Sequence, residues 1–232
     1  MLGEAPKENI MLVTTDDARF WDRAARKYAT DPIKDLAGYE RTLDRTRNLL
    51  DHSAVVLEIG CGTGTTALRL APLVSHIIAT DLSSEMIAIA REKASAQACR
   101  NAEFSVATAE HAPGSHGDYD AVLAFNALHL IADRSSMLAH VHHVLKPGGL
   151  FITKTPCLSE MNPLIRLAVP VARLFGKAPT VSFFSASAIE AEIAGAGFTI
   201  IENGRHGSGR KDPRIFIVAS KSEPLRRPVV AP

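Results

Sequence analysis

The stretch "AVVLEIGCGTG" (54–64) carries an apolar run, interrupted only by Glu58, into three glycines on alternate positions, Gly60, Gly62 and Gly64. The run reads as a buried strand and the glycines as a strand-to-helix loop, with a helix expected from about Gly64 to Pro72. Missing Cβ atoms let a ligand touch the backbone, and the loop after the first strand of a parallel sheet is where ligands of open α/β folds sit.

The pattern repeats downstream of that loop. "HIIATD" (76–81) reads as strand two, and "SSEMIAIAREKASAQA" (83–98) as a serine-capped helix with Glu85 in its first turn. "AEFSVA" (102–107) and "YDAVLAFN" (119–126) read as strands three and four. "SSMLAHVHHVLK" (135–146) reads as a helix stopped by Pro147-Gly148-Gly149, and "LFITKT" (150–155) as strand five. After the helix of "SASAIEAEIAGAGF" (185–198), "TIIENG" and "RIFIVASK" follow too closely for another crossover and predict an antiparallel pair at the sheet edge. The expectation is a Rossmann-like, doubly wound α/β fold with a seven-stranded sheet, mostly parallel, ending in an antiparallel pair.

Around this core the sequence divides into an N-terminal helical lid (1–53), the α/β domain (54–221) with a cap insertion (156–184), and a proline-bearing tail (222–232) that reads as disordered. The 232 residues, 46% hydrophobic, suffice for one domain with a sizeable core. With 26 basic and 25 acidic residues the net charge is +1, so composition offers no electrostatic case for nucleic acid. Three cysteines without CxxC spacing suggest neither a disulfide framework nor zinc, and no apolar stretch is long enough to span a bilayer. The expected location is the cytoplasm.

Three ligands compete for the glycine loop. A nucleoside triphosphate is excluded because GxxxxGK[ST] is absent and no lysine follows the loop. A dinucleotide survives by motif, since Gly62 to Ala67 fits GxGxx[GA] and Asp81 closes strand two at a distance suited to a ribose. S-adenosylmethionine has no pyrophosphate and carries positive sulfonium and ammonium groups, which favour acidic neighbours; Glu58 tips the balance toward it.

The chain resembles the class I S-adenosylmethionine-dependent methyltransferases, in the small-molecule branch that includes ubiquinone and menaquinone biosynthesis methyltransferases. The resemblance rests on "VLEIGCGTG" (56–64), "TDLSSEMIAIAR" (80–91), "DAVLAFNALHLIAD" (120–133) and "LKPGGLFI" (145–152), in order and at the family's spacing. It implies S-adenosylmethionine as cofactor, a small-molecule acceptor and in-line methyl transfer. It further implies that Gly60, Cys61 and Gly62 lie against the methionine part and that Glu58 reaches the ammonium. Asp81 would accept the ribose hydroxyls, Leu82 would pack on the adenine face, Ala109 and Glu110 would line its edge, and Met86 is a further cofactor-binding candidate. Asn126 would stand near the transferred methyl. Where the family often has Asp for the adenine amino group, this chain has Thr108, a weaker acceptor.

His129, just past strand four, is the candidate general base, and Tyr28, in "ARFWDRAARKYA" (18–29), the candidate for closing over the cofactor. That helix is expected to align Phe20, Ala24 and Lys27 or Tyr28 on one side, with Trp21 adjacent. Cys61 reads as a small packing residue. His140, His142 and His143 read as a helix face, without a carboxylate that would complete a metal site. "MNPLIRLAVPVARLFGKAPTVSFF" (161–184) reads as a greasy cap for a lipophilic acceptor, with 161–177 basic and apolar enough to contact a membrane surface.

Overall fold

A computed structural model describes residues 7–209 and 212–222, with the side chains of 7–15 and of Leu167 left aside. Two helices, α1 (Lys7–Thr30) and α2 (Leu36–Arg47), precede the sheet. Strands β1 (Val55–Ile59), β2 (His76–Asp81), β3 (Ala102–Val106), β4 (Tyr119–Phe125) and β5 (Leu145–Pro156) then alternate with α3 (Thr65–Leu70), α4 (Ser84–Ala96) and α5 (Arg134–Val144). After β5 come α6 (Leu164–Leu174), α7 (Ala186–Gly195), β6 (Phe198–Gly204) and β7 (Arg214–Lys221).

The seven strands lie in the order β3-β2-β1-β4-β5-β7-β6. The first five are parallel, and β7 enters between β5 and β6, antiparallel to both. The order reverses between β1 and β4, so the crevice beyond their carboxyl ends is the natural ligand position of this topology.

Side-chain alternation divides the core. On one face Leu57, Val122, Phe151 and Ile217 pack with Met137, Val141, Ile189 and Ile193 from α5 and α7. On the other, Val56, Leu123, Ile152 and Phe216 pack with Leu43, Leu68, Ile87 and Ala90 from α2, α3 and α4. Each such side chain contributes roughly 1.5–3 kcal/mol by leaving water, so both covered faces hold the strand ends in register.

Two local expectations are corrected. The helix after the glycine loop ends at Leu70 and tightens into a 3-10 turn at Ala71–Leu73, where Pro72 interrupts the α-helical bonding. Helix α5 ends at Val144, before the Pro147-Gly148-Gly149 sequence expected to stop it. That sequence instead forms a bulge at the start of β5, where the pairing jumps from Tyr119 with Leu145 to Ala121 with Leu150. Gly148 has φ +76°, and Lys146 Nζ binds both Asp120 oxygens at 2.8 Å, which anchors the bulge.

Helix α1 docks through Trp21, Ala25 and Ala29, packed on Met86 and Ile89 of α4, beside the side that carries Phe20 and Ala24. Ala25 is fully buried, and its small side chain permits the close approach; Lys27 points to solvent, paired with Asp31 at 2.6 Å. The tail expected to be disordered lies outside the described residues beyond Ser222. No described helix is long and apolar enough to cross a membrane.

Candidate functional site

The glycine loop leaves β1 at the reversal point, and all three glycines have positive φ, +69°, +53° and +73°. Their surroundings differ. A Cβ on Gly60 would lie 2.9 Å from Ala127 Cβ, and one on Gly64 would lie 2.7 Å from Phe104 Cε1 and 2.8 Å from Ala90 Cβ. Both positions are closed by the protein's own packing. A Cβ on Gly62 would meet only Tyr28 Cε1, at 3.7 Å, so the bare backbone there faces the crevice rather than a packed neighbour.

Two carboxylates stand at this loop. Glu58 is 2% exposed; burial pushes its carboxyl up to about 8, with the charge of Asp81 adding and the Ala67 N–H opposing. Its Oε2 is buried without a hydrogen-bond partner. Asp81, at the end of β2, accepts from the Gly62 N–H through Oδ2 and the Ser83 N–H through Oδ1, both at 2.9 Å. Burial raises it as well, the two N–H groups opposing and Asp22 adding. Ser83 rather than Asp81 caps α4, accepting from the Met86 N–H at 3.1 Å, which leaves Asp81 at the loop.

Tyr28 is 52% exposed as a residue, yet its ring edge lies over Gly62 and its phenol is raised by burial, then by Asp81, Glu58 and Tyr39. Cys61 donates its N–H to Thr80 O at 2.9 Å, and burial holds its thiol well above the ordinary range, so it packs rather than reacts. The β3 exit is tied to the same corner by the Ala107 N–H, which donates to Asp81 O at 3.1 Å. There Thr108 Oγ1 lies 3.1 Å from His111 Nδ1, followed by Ala109 and Glu110 in a 3-10 turn. Leu82 is half-buried beside Asp81. Met86 is not at the loop: it is 2% exposed in the cluster that holds α1 on α4.

Beyond β4, Asn126 adopts φ +53°, one of two non-glycine residues in the left-handed region among those described, and donates its N–H to Lys154 O at 2.7 Å. Asn tolerates this conformation better than most residues, which turns the chain sharply into the 3-10 turn at Leu128–Leu130. Burial pushes His129 down to about 4, so its imidazole is neutral at physiological pH; Nδ1 lies 3.5 Å from Thr155 Oγ1. The three α5 histidines are separated: His140 bonds to Ala112 O at 2.8 Å, while His142 meets Phe198 and His143 meets His116 edge to face. No group of three His, Cys, Asp or Glu side chains placed to hold a metal occurs among the described residues.

Two residues escaped the sequence reading. Asp22, on α1, accepts from Ser83 Oγ at 2.6 Å and from the Glu85 N–H at 3.1 Å, locking α1 to the start of α4. Tyr39, on α2, is raised by burial near Glu58 and shares a 3.2 Å hydrogen bond with Thr66. Both lie in helices whose sequence carries no mark of the surface they dock on.

Residues 56–149 match a family described as a methyltransferase domain. The Bacillus subtilis protein YcgJ, described as an uncharacterized methyltransferase, is 34% identical over 122 residues, 50% of this chain and 48% of that protein, so the chain spans about half its length in that alignment. Its crystal structure superposes with a TM-score of 0.66 at 21% identity, covering 80% of this chain and all of that one. The demethylmenaquinone methyltransferase of Lactococcus lactis is 28% identical over 189 residues, 73% of this chain and 74% of that enzyme. Magnesium protoporphyrin IX methyltransferase from Synechocystis, solved with bound SAH, superposes with a TM-score of 0.67 at 19% identity over 93% of this chain and all of that one. The glycine loop, the acid ending β2, the antiparallel β7 and these matches agree: residues 56–149 carry a methyltransferase domain, and the chain is similar to the class I S-adenosylmethionine-dependent methyltransferases.

Proposed function

We propose that the protein transfers a methyl group from S-adenosylmethionine to a small-molecule acceptor. The observation that carries this reading is Glu58, a buried carboxyl held near pH 8 with an oxygen lacking a partner among the described residues, beside the half-buried carboxylate of Asp81. Neither carboxylate has a Lys or Arg partner among the described residues, so the site favours a ligand that brings positive charge. A dinucleotide would bring a pyrophosphate toward two acids and is disfavoured on the same ground.

On this reading Glu58 holds the ligand's ammonium, the open backbone at Gly62 receives its methionine part, and Asp81 accepts from the ribose hydroxyls. Thr108, Ala109 and Glu110 border the adenine, and Asn126 borders the methyl. Bound there, S-adenosylmethionine supplies an electrophilic methyl group on a sulfonium. The chain's own residues align the acceptor and exclude water, which is what an in-line displacement requires. Helix α1, with Tyr28 over Gly62, is the lid on this site. His129 holds little affinity for a proton at about 4 and serves the acceptor as a hydrogen-bonding neighbour rather than as an efficient base at neutral pH.

Isothermal titration of the ligand-stripped protein with S-adenosylmethionine, S-adenosylhomocysteine and NAD in parallel tests the reading. Micromolar binding of the first two without NAD is expected; binding of NAD alone would overturn it.

A further inference from the structure

Away from the glycine loop, a cleft of about 400 Å³ opens between α6, through Val169, Arg173 and Leu174, and the extended segment that follows, through Pro179, Val181 and Phe183. Its volume falls in the range of small-molecule sites. The lining is apolar apart from Arg173. Arg166, on the same helix, is engaged by Ser159 Oγ at 2.8 Å and by the Phe183 ring at 5.8 Å, whereas Arg173 has no partner among the described residues. The rim is bare as well: Leu174 is 88% and Phe175 72% exposed.

The wall of this cleft is tied to the rest of the molecule. Residues 179, 181 and 183 face it, as alternation in an extended chain allows. Between them, Thr180 donates its N–H to Asp17 of α1 at 2.8 Å and its hydroxyl at 3.0 Å, and Ser182 donates its N–H to His129 O at 2.7 Å. The segment is thereby fixed from behind, and the cleft in front of it is an open groove with one anchored wall.

We propose that this cleft binds an amphiphilic anion, a single small molecule with an apolar body and one terminal carboxylate. The apolar body covers Val169, Leu174, Val181 and Phe183, and the carboxylate pairs with Arg173, whose planar fork matches it. One unpaired guanidinium in an apolar lining matches one charge, and the concave shape suits one molecule rather than the plane of a bilayer. This goes beyond the methyl-transfer reading and does not depend on it.

Decanoate and decanol, titrated calorimetrically below micelle-forming concentrations and without cofactor, provide the test. The native protein is expected to bind decanoate at least about tenfold more tightly than decanol, the scale of one charge-assisted hydrogen bond. Arg173→Gln should erase that difference. Val181→Trp should fill the cleft and abolish both. Should that variant not fold, Leu174→Glu, at an exposed position, should weaken decanoate more than decanol. Equal affinities for the two probes in the native protein, indifference of decanoate to folded Val181→Trp or to Leu174→Glu, or capture by anionic phospholipid vesicles alone would each overturn the proposal.

Discussion

On the proposed reading, Glu58 links cofactor binding to pH. Its free carboxyl titrates at about 8, so at pH 7 it is mostly protonated, and a cationic ligand must draw it into the ionised form. One pH unit corresponds to about 1.4 kcal/mol. Between pH 6 and pH 7 the affinity for S-adenosylmethionine should therefore rise by nearly tenfold, with close to one proton released per ligand bound. The slope flattens as pH approaches 8, where Glu58 is about half ionised and an α-amino group itself titrates, at roughly 7.7–8.0. Calorimetry in two buffers of different ionisation enthalpy measures the released proton directly. In Glu58→Gln the pH profile should become flat and the affinity at pH 7 should fall by about tenfold or more, the scale of one hydrogen bond to a charged group. Affinity unchanged between pH 6 and 7, with no proton release, would refute the assignment of Glu58 to the ligand's cation.

The same displaced titration acts on the ligand-free fold, with a definite sign. A carboxyl raised in the folded state contributes stability that is fully present below its ordinary value of 4.5 and is lost as pH rises toward about 8. The ligand-free protein should therefore lose about 1.4 kcal/mol per unit across that window. Glu58→Gln, always neutral, should remove this slope in denaturant melts while weakening binding, a trade common at functional sites.

Asp81→Ala should weaken S-adenosylhomocysteine binding by roughly 1.5–3 kcal/mol, read as a dissociation constant in a folded variant; an unchanged constant removes Asp81 from the site. Gly64→Ala, which sets a Cβ against Phe104 and Ala90 at positive φ, should cost about 2–4 kcal/mol of stability by chemical denaturation. Gly62→Ala, where only Tyr28 is near, should cost about 1–2 kcal/mol of stability and mainly reduce cofactor affinity. Asp22→Ala should cost about 0.5–2 kcal/mol at the α1–α4 junction, visible as faster amide exchange in α1 with the sheet unaffected.

The parts of the fold that were legible are those encoded over a few residues. The β-branched runs, the glycine loop, the serine cap of α4 and the short spacing of β6 and β7 each state a local preference, and the sheet satisfies all of them. The Pro147-Gly148-Gly149 sequence was misread because a helix stop and a strand bulge use the same residues; the choice depends on Asp120, on a neighbouring strand, binding Lys146. Which side of α1 docks was not legible, since Phe20 and Trp21 are adjacent aromatics and the surface of α4 decides which faces inward. The ligand loop shows the same division. Its residue types pointed to a cofactor, but their separate duties, Gly60 and Gly64 accommodating the protein's own packing and Gly62 alone open to the crevice, depend on Ala127, Phe104 and Tyr28, all distant in sequence. Glu58 could be named from its place before the loop, yet its protonation depends on burial between two helical layers and on Asp81 one strand away. An acid there suggests a cation; that the acid is buried and protonated before any cation binds, as the proposed reading requires, is set by the fold alone.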